Sequence, residues 1–240
     1  MTSIEIPQLA DAQLESWLAL TSIAETVPND WILIGGQMVQ LHCWERGFTP
    51  PRVTSDVDAV IDVISKPEIL EEFTKVLDGL GFEPQTSPDG HQYKWKKDLA
   101  EIDILFPDNV GARALNKKGF TSGTIPETPG GRVVLGFAER VEVELEGRTT
   151  LINRPNLIGS LFIKSKAMKN PNDIGFGRHF LDFAMLATLF SSHDVGSYVD
   201  PKVIDSILSA VALVRGNLQA ISQIFGAEEG LERVALALNP

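Results

Sequence analysis

The chain carries one cysteine, Cys43, among 240 residues. No intramolecular disulfide is possible, and a cysteine-rich zinc site is excluded. Long apolar runs are missing too. No stretch of roughly 18 uncharged apolar residues occurs, so no membrane span is expected. Positive charge is in short supply: Lys plus Arg number 21 against 32 Asp plus Glu, a formal net charge of −11. Such a balance argues against a protein that coats nucleic acid non-specifically, and leaves room for a nucleic-acid substrate held by a local basic patch. The first eleven residues hold acids and a proline in place of a basic head and an apolar run, so no secretory leader is expected. A cytoplasmic location fits the near-absence of cysteine.

What is present is an ordinary globular balance, 43% hydrophobic and 22% charged, which excludes wholesale disorder. The positives gather in three groups: Lys94, Lys96 and Lys97; Lys117 and Lys118; and Lys164, Lys166, Lys169 and Arg178. Charge runs of this kind ordinarily solvate a face.

Along the chain, 9–26 has helical spacing, with Leu14, Trp17, Leu18 and Ile23 on one stripe. Trp31 to Ile34 reads as a short strand ended by Gly35-Gly36, and a helix follows to Gly47. Residues 57–63 read as a strand, and Pro67 with Glu68, Glu71 and Glu72 opens a helix to about Leu80. Residues 93–97 and 101–106 read as neighbouring strands. The Thr-, Gly- and Pro-rich stretch 119–131 reads as a long loop. Residues 140–146 and 149–152 read as strands joined by a hairpin turn at Glu146-Gly147-Arg148. After Pro155 the pattern is helical, over 157–169, 180–191, 203–213, 218–225 and 228–238. The fold expected is α+β: a mixed β-sheet core flanked by helices over 1–153, then a helical C-terminal part over 154–240.

The sharpest chemical feature is Thr54-Ser55-Asp56-Val57-Asp58, entering a strand. Residues two apart on a strand share a face, so Asp56 and Asp58 project together while Val57 turns to the core. Adjacent carboxylates repel unless a cation sits between them, and Mg²⁺ prefers such hard oxygen ligands. Upstream, a strand runs into Gly35-Gly36 and a helix N-terminus, where backbone can approach a phosphate closely. Downstream, Glu101-Ile102-Asp103-Ile104-Leu105 is a further strand. Asp103 is preferred over Glu101 as the third carboxylate, with Ile102 and Ile104 on the buried face. Three carboxylates from two strands suit two Mg²⁺ ions and in-line nucleotidyl transfer. Arg178 and Asp182, four apart on a helix, equally suit a surface ion pair. His42 is expected to be a satisfied half-buried side chain, and Cys43 a small buried hydrophobe.

The strings Leu33-Ile34-Gly35-Gly36, Arg52-Val53-Thr54-Ser55-Asp56-Val57-Asp58 and Ile102-Asp103-Ile104-Leu105 resemble the polymerase β-like nucleotidyltransferase superfamily. Within it, the chain is similar to the AbiEii/MenT-type nucleotidyltransferase toxins of bacterial toxin–antitoxin systems. Lys164, Ala167, Arg178 and Asp182 match the Lys, Ala, Arg and Asp of those toxins' C-terminal helices, and Lys164, with Lys166 a rival, is a mobile point charge able to neutralise a β- or γ-phosphate. The chain has Gln37 where a small residue commonly follows the glycine pair, Ser55 where a Lys is frequent, and Met185 where the helix carries a second Asp. The resemblance, over residues 31 to 190, implies a Mg²⁺-dependent transferase moving NMP from an NTP to an acceptor hydroxyl. The acceptor implied is tRNA, and the partner a cognate antitoxin. It places Asp56, Asp58 and Asp103 on the metal, Gly35, Gly36, Arg52, Lys164 and Arg178 on the nucleotide, and Lys164 and Asp182 among the catalytic residues. Two other readings stand beside it: transfer to a protein or an aminoglycoside-like acceptor, and a catalytically silent binding module.

Overall fold

Short apolar segments separated by turn residues build two β-sheets, and the remaining chain is helical. The structure is a computed structural model and describes residues 3–88, 90–110, 125–169, 176–196 and 199–239. In chain order the elements are β1 (Ile4–Glu5), α1 (Asp11–Thr26), β2 (Trp31–Ile34), α2 (Gly35–Glu45), β3 (Asp56–Ile61), α3 (Ile69–Gly79), β4 (Glu83–Gln85), β5 (Lys94–Lys97), β6 (Ala100–Pro107) and β7 (Glu127–Thr128). There follow α4 (Gly131–Leu135), β8 (Ala138–Leu145), β9 (Arg148–Pro155), α5 (Leu157–Ala167), α6 (Phe176–Leu189), a 3₁₀ turn (Ser192–Asp194), α7 (Pro201–Arg215), α8 (Leu218–Gln223) and α9 (Ala227–Leu238). The architecture is α+β with mixed sheets, as the hydrophobic patterning predicts. The chain divides into two compact units, 1–38 with 54–155, and 39–53 with 156–240.

In the first unit the larger sheet has the order β2-β3-β6-β5-β4, with β7 added beside the end of β6. The β3 and β6 strands run parallel, while β2–β3, β6–β5 and β5–β4 are antiparallel. The smaller sheet, β1-β8-β9, contains the expected hairpin. Its two-residue turn holds Glu146 at φ 50° and Gly147 at φ 73°, the left-handed pair that lets a tight loop follow the strands' twist. Helix α1 packs on β3, β6 and β9. The core is built from Trp17, Leu20 and Ile23 of α1, Ile32 and Leu33 of β2, Val57 and Val60 of β3, and Ile102 and Ile104 of β6, all fully buried. Each such side chain contributes roughly 1.5–3 kcal/mol by leaving water. Trp31 meets the Phe73 ring edge-on at 6.0 Å.

Several local expectations change. The buried stripe of α1 runs through Gln13, Ser16, Trp17, Leu20 and Ile23, and Leu18 is 41% exposed. The stripe rotates because Gln13 and Ser16 find partners inside, Gln13 donating to Gln37 and Ser16 to the Ala12 carbonyl. Helix α3 starts at Ile69 instead of Pro67, because the Ile69 N–H bonds to the Lys66 carbonyl in a tighter turn ahead of the helix. Of the expected 119–131 loop, the described part holds β7 and the start of α4; the rest, with Lys117 and Lys118, lies outside the described residues.

The second unit is organised on α5, whose residues 157–165 are all buried. Asn156 caps its N-terminus, accepting from the Gly159 N–H at 2.9 Å. Helix α7 packs on α5 through Ser165 and Ser206, 2.9 Å apart. Helix α9 crosses α6 at Gly230, where a Cβ would stand 2.7 Å from the Ala187 carbonyl. Arg233 then donates to the Phe190 and Thr188 carbonyls and satisfies the open end of α6. The segment 39–53 is held here by His42, whose Nε2 lies 2.8 Å from the Ser160 hydroxyl, and by Arg46, bonded to Asp194 at 3.0 Å. His42 is fully buried rather than half-buried.

Candidate active site

Strand register builds one polar face on the larger sheet. Parallel pairing sets Asp56 opposite Glu101 and Asp58 opposite Asp103. Antiparallel pairing sets Lys94 opposite Asp103 and Lys96 opposite Glu101. Paired residues of neighbouring strands point to the same side, so four carboxylates and two ammonium groups form a ledge two residues deep across β3, β6 and β5. The alternate positions Val57, Ile102 and Trp95 face the core and are buried.

The diglycine bend adjoins this ledge. Strand β2 runs into α2 without a connecting residue, with Gly35 at φ 73°. Ile34 pairs with Asp58, and a Cβ on Gly35 would stand 1.8 Å from Asp58 Oδ2. Only glycine satisfies both demands, a left-handed φ and a carboxylate against the backbone. Buried Gln37 secures the approach to Asp56: its Nε2 donates to the Thr54 carbonyl at 2.9 Å, and its Oε1 accepts from Trp17 Nε1 at 2.7 Å. The Thr54 hydroxyl donates to Asp56 Oδ1.

Asp103 is a perturbed carboxyl of the ledge. Burial pushes its pKa up to about 6; Lys94 opposes the rise and Asp56 adds to it. Its Oδ1 is buried and accepts no hydrogen bond, although Lys94 Nζ stands 3.3 Å away. Lys94 also forms an ion pair with Glu101, whose other oxygen lies 2.9 Å from Lys96 Nζ. The carboxylate oxygens are the donor type a hard divalent cation takes, and the Asp103 oxygen without a hydrogen bond is one such a cation would satisfy. As the side chains stand, no group of three or more His, Cys, Asp or Glu among the described residues is gathered to hold a metal ion. Thr54 and Lys94 hold Asp56 and Asp103 instead.

In the second unit Lys164 of α5 and Asp182 of α6 form a buried pair, Nζ to Oδ2 at 2.7 Å, with 3% and 1% of their side chains exposed. Arg52 adds a two-pronged contact, Nε to Oδ1 at 2.9 Å and Nη2 to Oδ2 at 3.0 Å. Gln40 supports the Arg52 backbone, donating to its carbonyl at 3.0 Å. Burial alone would raise the Asp182 carboxyl, but Lys164 and Arg52 outweigh it and hold the group below the ordinary carboxylate value. Arg178, four residues before Asp182 on α6, is exposed. Lys166 lies over the Phe162 ring at 5.0 Å.

Sequence reasoning singled out Asp56, Asp58 and Asp103, and the structure brings their strands together in register. It also set Arg52, Lys164 and Asp182 apart, and the structure joins all three. The roles of Gln37 and Lys94 were not legible. Gln37 stood out only as a departure from the small residue common there, and Lys94 only as one of a basic run.

No protein-family model and no curated protein sequence matches the chain. Two solved structures match in shape. One is an antigenic nucleotidyltransferase-like protein from Paracoccidioides brasiliensis, 15% identical, covering 94% of each chain with a TM-score of 0.56. The chain has a nucleotidyltransferase-like fold. The second is the antibiotic-resistance factor ANT(2'')-Ia, 11% identical, covering 89% of this chain and 97% of the other with a TM-score of 0.50. The nucleotidyltransferase-like fold accounts for the mixed sheet and for the helices that follow it. No helix among the described residues is long and apolar enough to cross a membrane.

Proposed function

We propose that the chain is a nucleotidyltransferase, moving a nucleoside monophosphate from a nucleoside triphosphate to an acceptor hydroxyl. The observation that carries this reading is the register that sets Asp58 beside Asp103 and against the Gly35 bend. In the step, the acceptor oxygen loses its proton and bonds the α-phosphorus, the bond from that phosphorus to the bridging oxygen breaks, and pyrophosphate leaves. Asp56, Asp58 and Asp103 are the residues that would hold Mg²⁺. When bound, Mg²⁺ supplies charge neutralisation for the transferring phosphate and the leaving pyrophosphate, a pair of ions suiting three carboxylates. Gly35 and Gly36 begin α2, and the first backbone N–H groups of a helix favour a phosphate. In the second unit, Lys164, Arg52 and Asp182 together carry one net positive charge, which suits a phosphate group; Arg178 adds an exposed cation.

The acceptor proposed first is tRNA, with the chain acting as the toxin of a bacterial pair and an antitoxin as its partner. This follows from the AbiEii/MenT-type resemblance. A small cationic acceptor of the aminoglycoside class is the second reading. It is supported by the net charge of −11 and by the shape likeness to an antibiotic-resistance factor. One experiment tests the reading. The protein is incubated with each α-labelled NTP, Mg²⁺ and either total tRNA or aminoglycosides. Label on tRNA supports the first acceptor and label on the drug supports the second. No label on any acceptor, with no Mg²⁺-dependent NTP binding, leaves a silent binding module.

A further inference from the structure

Lys94 occupies an unusual place for a lysine of a basic run. It sits on β5 directly opposite Asp103, and its ammonium lies among the acids of the ledge instead of in solvent, with 28% of the side chain exposed. It pairs with Glu101 and also stands 3.3 Å from Oδ1 and 3.4 Å from Oδ2 of Asp103. Lys94 thus bridges a carboxylate that is not a proposed metal ligand and one that is. A lysine is a compact charge on a flexible four-carbon stem, so it can leave Asp103 while keeping Glu101.

Like charges on adjacent strands destabilise a sheet unless a cation separates them. Two cations can meet that need at Asp103, a side-chain ammonium or a divalent ion, and one site does not hold both without repulsion. We propose that Lys94 is a tethered counter-ion that competes with a divalent metal ion for Asp103, balancing the ledge when the ion is absent and withdrawing onto Glu101 when it binds. The proposal rests on the reading of Asp56, Asp58 and Asp103 as metal ligands.

The test is Mn²⁺ binding to the full chain, followed by the loss of the free-ion electron paramagnetic resonance signal, with circular dichroism to check folding. Lys94→Met is expected to bind Mn²⁺ about tenfold more tightly than the wild type, and Lys94→Arg to bind close to it. Lys96→Met removes the same charge from the same ledge without touching Asp103, and is expected to shift affinity far less. If Lys94→Met does not fold, Lys94→Gln replaces it. Equal or weaker binding in the Lys94 variant overturns the competition, as does an equal gain in Lys96→Met; both leave the metal reading standing. Absence of Mn²⁺ binding in every protein, the wild type included, overturns the metal reading and the competition with it.

Discussion

At the scale of single residues, the site depends on atoms that fit only one way. Gly35→Ala brings a methyl group onto Asp58 Oδ2 and forces a left-handed φ on a residue with a Cβ. It is expected to lower stability by about 1–3 kcal/mol and to abolish transfer, read by urea unfolding and by the labelled-NTP assay. Asp58→Asn keeps the shape and removes the charge. Its unfolding midpoint should stay near the wild-type value while transfer falls to background, and near-normal turnover would refute the metal assignment. Asp182 behaves differently, because it balances two cations within its own unit. Its replacement by Asn leaves Lys164 buried without a full counter-charge and is expected to cost about 3–5 kcal/mol. The pH dependence has a definite sign. The folded carboxyl is held below its unfolded value, so its contribution is complete above the unfolded pKa of about 3.9 and is lost as pH falls through the folded value. Acid titration of stability should therefore be shallower in Asp182→Asn. The Cys43 thiol is buried and pushed up to about 12, by burial first and by Asp182 second. A thiol reagent should label it only on unfolding.

At the scale of elements, the β8–β9 hairpin offers a clean test. Glu146 occupies a left-handed position that asparagine adopts more readily. Glu146→Asn is expected to raise stability by roughly 0.5 kcal/mol, read as a small rise in Tm with no change in transfer. The same turn was legible in the sequence as Glu146-Gly147-Arg148, because turn chemistry is local, although Arg148 already belongs to β9. The stripe of α1 was not, because its buried face includes Gln13 and Ser16. Hydropathy marks such residues as exposed, and only their partners, one of them on a distant helix, make burial tolerable. The start of α3 was displaced for a related reason: Pro67 satisfies the rules of a helix start, yet a tighter turn intervenes.

At the scale of the whole molecule, charge decides what the acceptor reading must accommodate. A chain of net charge −11 repels a polyanion overall, and local basic groups favour contact. If tRNA is the acceptor, its labelling should fall steeply as salt rises from low to physiological ionic strength. Labelling of a cationic small molecule should also weaken with salt, but by less, since fewer charges are involved. The pairing of residues 39–53 with 156–240 is a further whole-molecule property. It arises from contacts such as His42 with Ser160 and Arg52 with Asp182, separated by 118 and 130 positions. Hydrophobic period and turn residues carry no record of such distances.

The acids of the candidate site could be picked from the chain because strand alternation is a local rule: Asp56, Val57 and Asp58 had to divide two to one side and one to the other. The mixed α+β order was readable for the same reason, since period and punctuation act over a few residues. Which lysine would stand among those acids was settled by the register of the β5–β6 hairpin, whose alternatives differ by a single-residue slip. That slip would have turned Lys94 away from Asp103 and put Trp95 in its place, and the burial of Trp95 in the apolar core is what forbids it.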